Sequence, residues 1–276
     1  MKLRTGISCL SLLAALTINT SAMANEDGDR SGPANWDSFS FSVGIGTGSV
    51  NHNIEEGHTN RGYKRGCDYG CITNFDEITD GIFGTFGLGY DRKVSERFVL
   101  GVFTDFDISS LGSKSSFAPG WMDDRTDYLG KGYLASNEST SLEHKYSWNI
   151  GGRFGYLVRP NTMIFGLVGY THGKFHQNFG FNGTFSNSIA TTATNNSRDL
   201  TFHGITLGAG LEQQLANNLF IRGEYRYTNF GKESTSDRAS VMSRGVNFYD
   251  IAASGETFDP SMHTGRVSIV VKFNGE

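Results

Sequence analysis

Eight stretches of the chain alternate apolar and polar side chains with a period of two, the mark of a strand with one greasy face. Ser38 to Val50 puts Phe39, Phe41, Val43 and Ile45 on one side and serines and glycines on the other. Gly81 to Tyr90 offers Ile82, Phe86, Leu88 and Tyr90, and Arg97 to Ser109 offers Phe98, Leu100, Val102, Phe106 and Ile108. The alternation is clearest from Lys145 to Val158, where Tyr146, Trp148, Ile150, Phe154, Tyr156 and Val158 oppose Lys145, Ser147, Asn149 and Arg153. Met163 to Phe175 leaves its facing open, because Met163, Phe165 and Leu167 compete with Ile164, Val168 and Tyr170. Thr201 to Leu215, Leu219 to Phe230 and His263 to Phe273 complete the set, with Glu212, Arg222, Glu224, Arg226, Arg266 and Lys272 all opposite the apolar side.

The connections decide what such strands build. Links after the second, fourth and sixth strands are short (Asp91 to Glu96, Arg159 to Thr162, Ala216 to Asn218). Links after the first, third, fifth and seventh are long (Asn51 to Asp80, Ser110 to His144, His176 to Leu200, Gly231 to Met262). After residue 24 no apolar run approaches the roughly 20 residues of a spanning helix, so a membrane crossing must be made by a closed barrel. The pattern predicts an all-β fold: an eight-stranded antiparallel transmembrane up-and-down β-barrel with short periplasmic turns and long extracellular loops. A soluble sandwich would also alternate, but it has no reason to keep this long and short rhythm. Pro33, Pro119, Pro160 and Pro260 all fall outside these eight predicted stretches, where a missing N–H is expected to break no ladder. Trp148, Tyr156, Tyr225 and Tyr227 suit the aromatic girdles at the membrane boundaries.

Composition agrees, with 36 Gly, 21 Phe and 11 Tyr beside only 4 Pro. Lys2 and Arg4, an apolar stretch from Ile7 to Ile18 and the small residues Ala22-Met23-Ala24 read as a signal peptide over residues 1–24. Residues 25–37 then form a periplasmic lead and 38–276 the barrel. Removing Lys2 and Arg4 takes the formal charge from −4 to −6, and with no basic run, nucleic acid is excluded as a partner. Cys67 and Cys71 remain, and an exported pair this close is expected to oxidise to a local disulfide. The rival reading, a metal site, would have only two thiolates.

The best-defined chemistry is the inward charge set Asp105, Arg153, Glu212, Arg222, Glu224, Arg226, Arg266 and Lys272. Glu212 lies five residues before the centre of the Ala216-Asn217-Asn218 turn and Arg222 five after, so a symmetric hairpin sets them opposite each other. Because an eight-stranded barrel is only wide enough for side chains, structural pairing is the favoured reading, and a gated polar conduit is the other. No catalytic constellation, metal site or cofactor is expected. His172 and His176 are four apart on an extended chain, about 13 Å, too far to share a metal. His52, His58, Tyr63, Tyr69 and His176 lie in or beside the long loops, where they are either simply solvated or contacts for haem or a host component.

Three stretches carry a resemblance: Gly152-Arg153-Phe154-Gly155-Tyr156, the glycine-rich run from Gly204 to Glu212, and Glu224-Tyr225-Arg226-Tyr227-Thr228-Asn229-Phe230-Gly231. The chain resembles the OmpA-like small outer-membrane barrels, within them the outer-membrane immunogenic protein or porin-like family. That resemblance implies a surface antigen with a structural role and at most weak porin-like passage, set among outer-membrane lipid and lipopolysaccharide and placed there by the barrel insertion machinery. A loop-based receptor or adhesin is the alternative. One departure is visible: such families commonly finish on an aromatic residue, whereas Phe273 is followed by Asn274, Gly275 and Glu276.

Overall fold

A computed structural model describes residues 34–60, 71–112, 115–117, 134–185, 191–235, 239–243 and 246–274. Its eight long strands are β1 (Ser38–Asn60), β2 (Cys71–Lys93), β3 (Phe98–Gly112), β5 (Leu134–Arg159), β6 (Thr162–Phe185), β7 (Thr191–Ala216), β8 (Leu219–Phe230) and β11 (Val246–Asn274). Three short strands, β4 (Ser115–Phe117), β9 (Glu233–Thr235) and β10 (Ala239–Ser243), pair on to β5 and β11. The long strands run β1-β2-β3-β5-β6-β7-β8-β11 in antiparallel sequence, and β1 pairs with β11 to close the cylinder. Closure removes the sheet edge, which in lipid would leave peptide groups unbonded.

The exterior inverts the rule of soluble proteins. Ile45 and Ile82 are more than 70% uncovered by protein, and Leu88, Val102 and Ile205 more than half. Such a continuous apolar band has its low-energy surroundings in hydrocarbon. In β6 the open facing is settled: Ile164, Val168 and Tyr170 point out, while Met163, Phe165 and Leu167 are buried.

Several expectations need correction. The long links are largely strand: β1 runs on to Asn60, β6 to Phe185, and β7 and β11 begin at Thr191 and Val246. Past the bilayer no lipid demands an apolar face, so the hydropathy rhythm fades while the backbone ladder continues. Lys145 does not face inward; the register slips between His144 and Tyr146, and Lys145 lies exposed beside Glu143. The inward face is also not uniformly polar. Val99, Phe103, Leu157, Met163, Phe165, Phe220 and Val270 fill it near the short-turn rim, and Val50, Leu111, Leu142, Phe175, Phe202 and Phe230 near the long-link rim.

Two short turns share one construction. Arg159 pairs with Thr162 across Pro160-Asn161, and Ala216 with Leu219 across Asn217-Asn218. In each hairpin the register then slips by one residue, at Val158 and at Leu215. Such a bulge on one strand re-phases every side chain beyond it.

Candidate functional site

Strand β8 sets out the lumen in order, since its buried side chains are Phe220, Arg222, Glu224, Arg226, Thr228 and Phe230. Apolar layers stand at the two ends, with charge between them. The charged layer holds Asp91, Asp105, Asp107, Glu212 and Glu224 against Arg153, Arg222, Arg226, Arg266 and Lys272, each at most 7% exposed. Five acids and five bases leave these ten residues formally neutral, as burial requires of charges that cannot reach bulk water.

The pairing is dense. Arg222 Nε donates to Glu212 Oε2 at 2.7 Å, and Lys272 Nζ lies 2.7 Å from Glu212 Oε1. Arg153 Nε donates to Asp91 Oδ1 at 2.7 Å, its second nitrogen also binds that carboxylate, and Lys272 Nζ donates to Asp91 Oδ2 at 3.1 Å. One level further in, Arg226 links Asp105 at 2.6 Å to Glu224 at 2.7 Å. Arg266 binds Asp107 at 3.1 Å and Thr85 at 3.2 Å. From Asp107 a belt of hydrogen bonds crosses to Asn149 at 3.3 Å, then Thr171 at 2.5 Å, Thr206, and Thr228 at 2.7 Å. The belt draws on five of the eight long strands, and Arg266, bound to Asp107 and to Thr85, extends it to seven.

Aromatic rings complete the packing around the cations. Arg226 sits 5.0 Å from the Phe103 ring centre, Arg266 5.0 Å from Phe83 and Arg153 5.5 Å from Phe165. Lys272 Nζ lies 4.0 Å from Trp36 and 4.6 Å from Phe220. Trp36 itself is buried in the short-turn mouth, where its Nε1 donates to the Pro160 carbonyl at 3.0 Å.

Inward glycines make room for these side chains. At Gly101 a methyl group would collide with Asp91 Oδ1 and lie 3.0 Å from Arg153 Cγ, so only hydrogen fits beside that ion pair.

The eight charges of the inward set lie in this layer together with Asp107, which shares the inward parity of Asp105 along its strand, and the structure adds Asp91. Asp91 reads in sequence as part of a turn, yet it continues the inward parity of Gly87 and Gly89. Of the loop residues named from sequence, His176 alone has a described side chain. His176 Nδ1 bonds Asp199 at 2.8 Å on the outer wall. With Lys174 also 2.9 Å away, Asp199 is held below the usual carboxylate range, first by the His176 hydrogen bond and then by Lys174. His52 and His58 lie on β1, opposite Glu77 and Cys71 of β2, but their side chains, like that of Cys71, are outside the description. Tyr63, Cys67 and Tyr69 fall outside the described residues, as does the signal segment 1–24. Among the described residues no cluster of three His, Cys, Asp or Glu side chains could hold a metal.

A closed antiparallel barrel, apolar outside and charge-paired within, is an integral outer-membrane protein. The family model of the outer membrane protein beta-barrel domain matches residues 10–249, and the chain belongs to that family. It is 30% identical over 180 residues to the 31 kDa outer-membrane immunogenic protein of Brucella melitensis biotype 1, covering 64% of this chain and 66% of that one. The chain thus spans just under two thirds of that relative's length. It is 29% identical over 119 residues to the 22 kDa outer membrane protein of Rhizobium leguminosarum bv. viciae, covering 42% of this chain and 49% of the relative. Among solved structures, the attachment invasion locus protein Ail of Yersinia pestis aligns with 84% of this chain and 98% of its own, at 14% identity and a TM-score of 0.31, too distant to inform function. The protein resides in the outer membrane, with its short turns periplasmic and its long extensions at the cell surface.

Proposed function

We propose that this chain is a structural and surface-display barrel of the outer membrane, with at most weak porin-like passage and no catalytic role. The neutral layer of ten interlocked charges, capped by apolar side chains towards both rims, supports this reading most directly. A conducting pore of this size would need charges that water can reach. The Ser109 hydroxyl and His144 Nδ1 are 2.6 Å apart, but His144 is buried against Phe175 and the same hydroxyl serves the His144 carbonyl. That contact is packing, not a nucleophile and base open to substrate.

A deletion strain tests the structural half, and antibody binding to intact cells tests display. Loss of the chain is expected to sensitise cells to detergent, and antibodies against the long extensions should bind unlysed cells. Unchanged detergent tolerance together with antibody access only after lysis would overturn the proposal. A second reading, capture of haem or a host component, draws support from strands such as the 29-residue β11, which outlast the bilayer and build a platform beyond it. Titration with haem separates the two, since a display barrel leaves the Soret band of free haem unshifted.

A further inference from the structure

On the outer wall, β6 and β7 bring His172 directly opposite His203. Their ring centres are 4.9 Å apart. We propose that these two imidazoles form a binding site for one divalent late transition-metal ion, with Tyr170 and Trp148 as its supporting shell.

The separation fits shared coordination. With metal–nitrogen bonds of about 2.0–2.1 Å, two imidazoles on one ion have ring centres about 4.5 Å apart at a right angle and about 5.2 Å apart at a tetrahedral one. Each ring is also held in place. Trp148, opposite His172 across β5 and β6, stacks on it at 5.6 Å and 25°. Tyr170 stacks on His203 at 5.8 Å and 21°, and its hydroxyl hydrogen-bonds His203 Nδ1. That bond leaves Nε2 as the ligating nitrogen of His203. A metal-bound imidazole characteristically donates its other N–H to an oxygen in this way, which fixes the ring and raises its basicity.

The position supplies the remaining ligands. Inwards along the same outer face come Val168, Tyr170, Ile205 and Leu207, the end of the lipid-facing band; outwards come Lys174, Thr201, His176 and Asp199. The pair therefore stands at the bilayer boundary, where water can complete the coordination sphere. Lys174, next on this face of β6 after His172, has its ammonium 2.9 Å from Asp199, which offsets its charge. Two imidazoles with water suit copper(II) best in the general affinity order of divalent ions.

Copper(II) titration of the untagged full chain folded in detergent micelles, read by calorimetry and electron paramagnetic resonance, tests the site. One ion per barrel is expected, with nitrogen coupling in the spectrum. His172→Gln and His203→Gln should each weaken binding by about tenfold or more, and Tyr170→Phe by about tenfold. His263→Gln, on the same wall but paired with Tyr225, should leave affinity unchanged. Unboiled gel mobility identifies folded barrels in every sample. Undiminished affinity in both the His172 and His203 variants, or loss of binding through His263→Gln, would overturn the assignment.

Discussion

Glu212 meets Arg222 because Leu215 is left over. The Asn217-Asn218 turn on its own would set Glu212 opposite Gly223; the one-residue slip between Gln214 and Ala216 restores the pairing with Arg222, whose Nε then lies 2.7 Å from Glu212 Oε2. Since opposite residues share a face, the slip also keeps Arg222, Glu224 and Arg226 inside.

Removing either partner leaves buried charge without its counterpart, which costs about 3–5 kcal/mol in a closed interior. Glu212→Ala should be the more damaging change, because Lys272 and Arg153 also lean on this carboxylate. The double variant should be less destabilised than the sum of the singles by about 0.5–3 kcal/mol. Urea midpoints read on unboiled gels check the cycle, and strict additivity would show the two side chains to be uncoupled.

Deleting Leu215 should be tolerated, as should Leu215→Ala, because the deletion leaves Gln214, paired with Phe220, directly before Ala216, paired with Leu219, in a regular ladder. Glu212 then stays opposite Arg222 and the three charges of β8 stay in the lumen; an arginine turned to lipid at the bilayer midplane would instead cost about 2–4 kcal/mol. Refolding into detergent, scored by heat-modifiable migration, distinguishes the outcomes. A Leu215-deleted chain that fails to fold would mean that the bulge does more than take up one extra residue.

Gly101→Ala places a methyl group against the Asp91 and Arg153 side chains. A loss of about 1–3 kcal/mol is expected from overpacking. The chemically identical change Gly84→Ala meets nothing within 4 Å and should be neutral. Equal thermal midpoints for the two variants would refute the role given to the inward glycine.

Trp36 packs edge-on against Phe220, ring centres 5.4 Å apart, and covers Lys272 at the periplasmic mouth. Trp36→Ala should lower stability by about 3 kcal/mol. Trp36→Phe keeps a ring over the ammonium and should recover most of it. If Trp36→Ala unfolds at the same urea concentration as the parent, the segment before β1 does not brace the barrel.

Much of this was legible from the chain because lipid imposes a strict period on the outer face; Phe39 to Ile45 and Tyr146 to Val158 announce their strands. The register of Glu212 and Arg222 was legible for a less direct reason. A three-residue turn and a two-residue turn followed by a bulge contain the same number of residues. Asp91 was missed because the last aromatic, Tyr90, looks like a strand end, although the parity of Gly87 and Gly89 pointed inwards. The inward apolar layers were illegible, since Phe165 or Phe220 reads the same whether it meets lipid or fills a lumen. His203 could not be matched to His172 without the register, because the pairing crosses 31 positions of sequence (203 − 172).

Single-channel recording of the unmutated full chain in planar lipid bilayers tests the closed lumen most directly. The ten paired charges and their apolar caps predict a trace at the bare-membrane baseline with at most brief, small openings, and openings that become frequent in Arg153→Ala. A large, steady conductance in the unmutated protein would show that the lumen is an open path and would contradict the account.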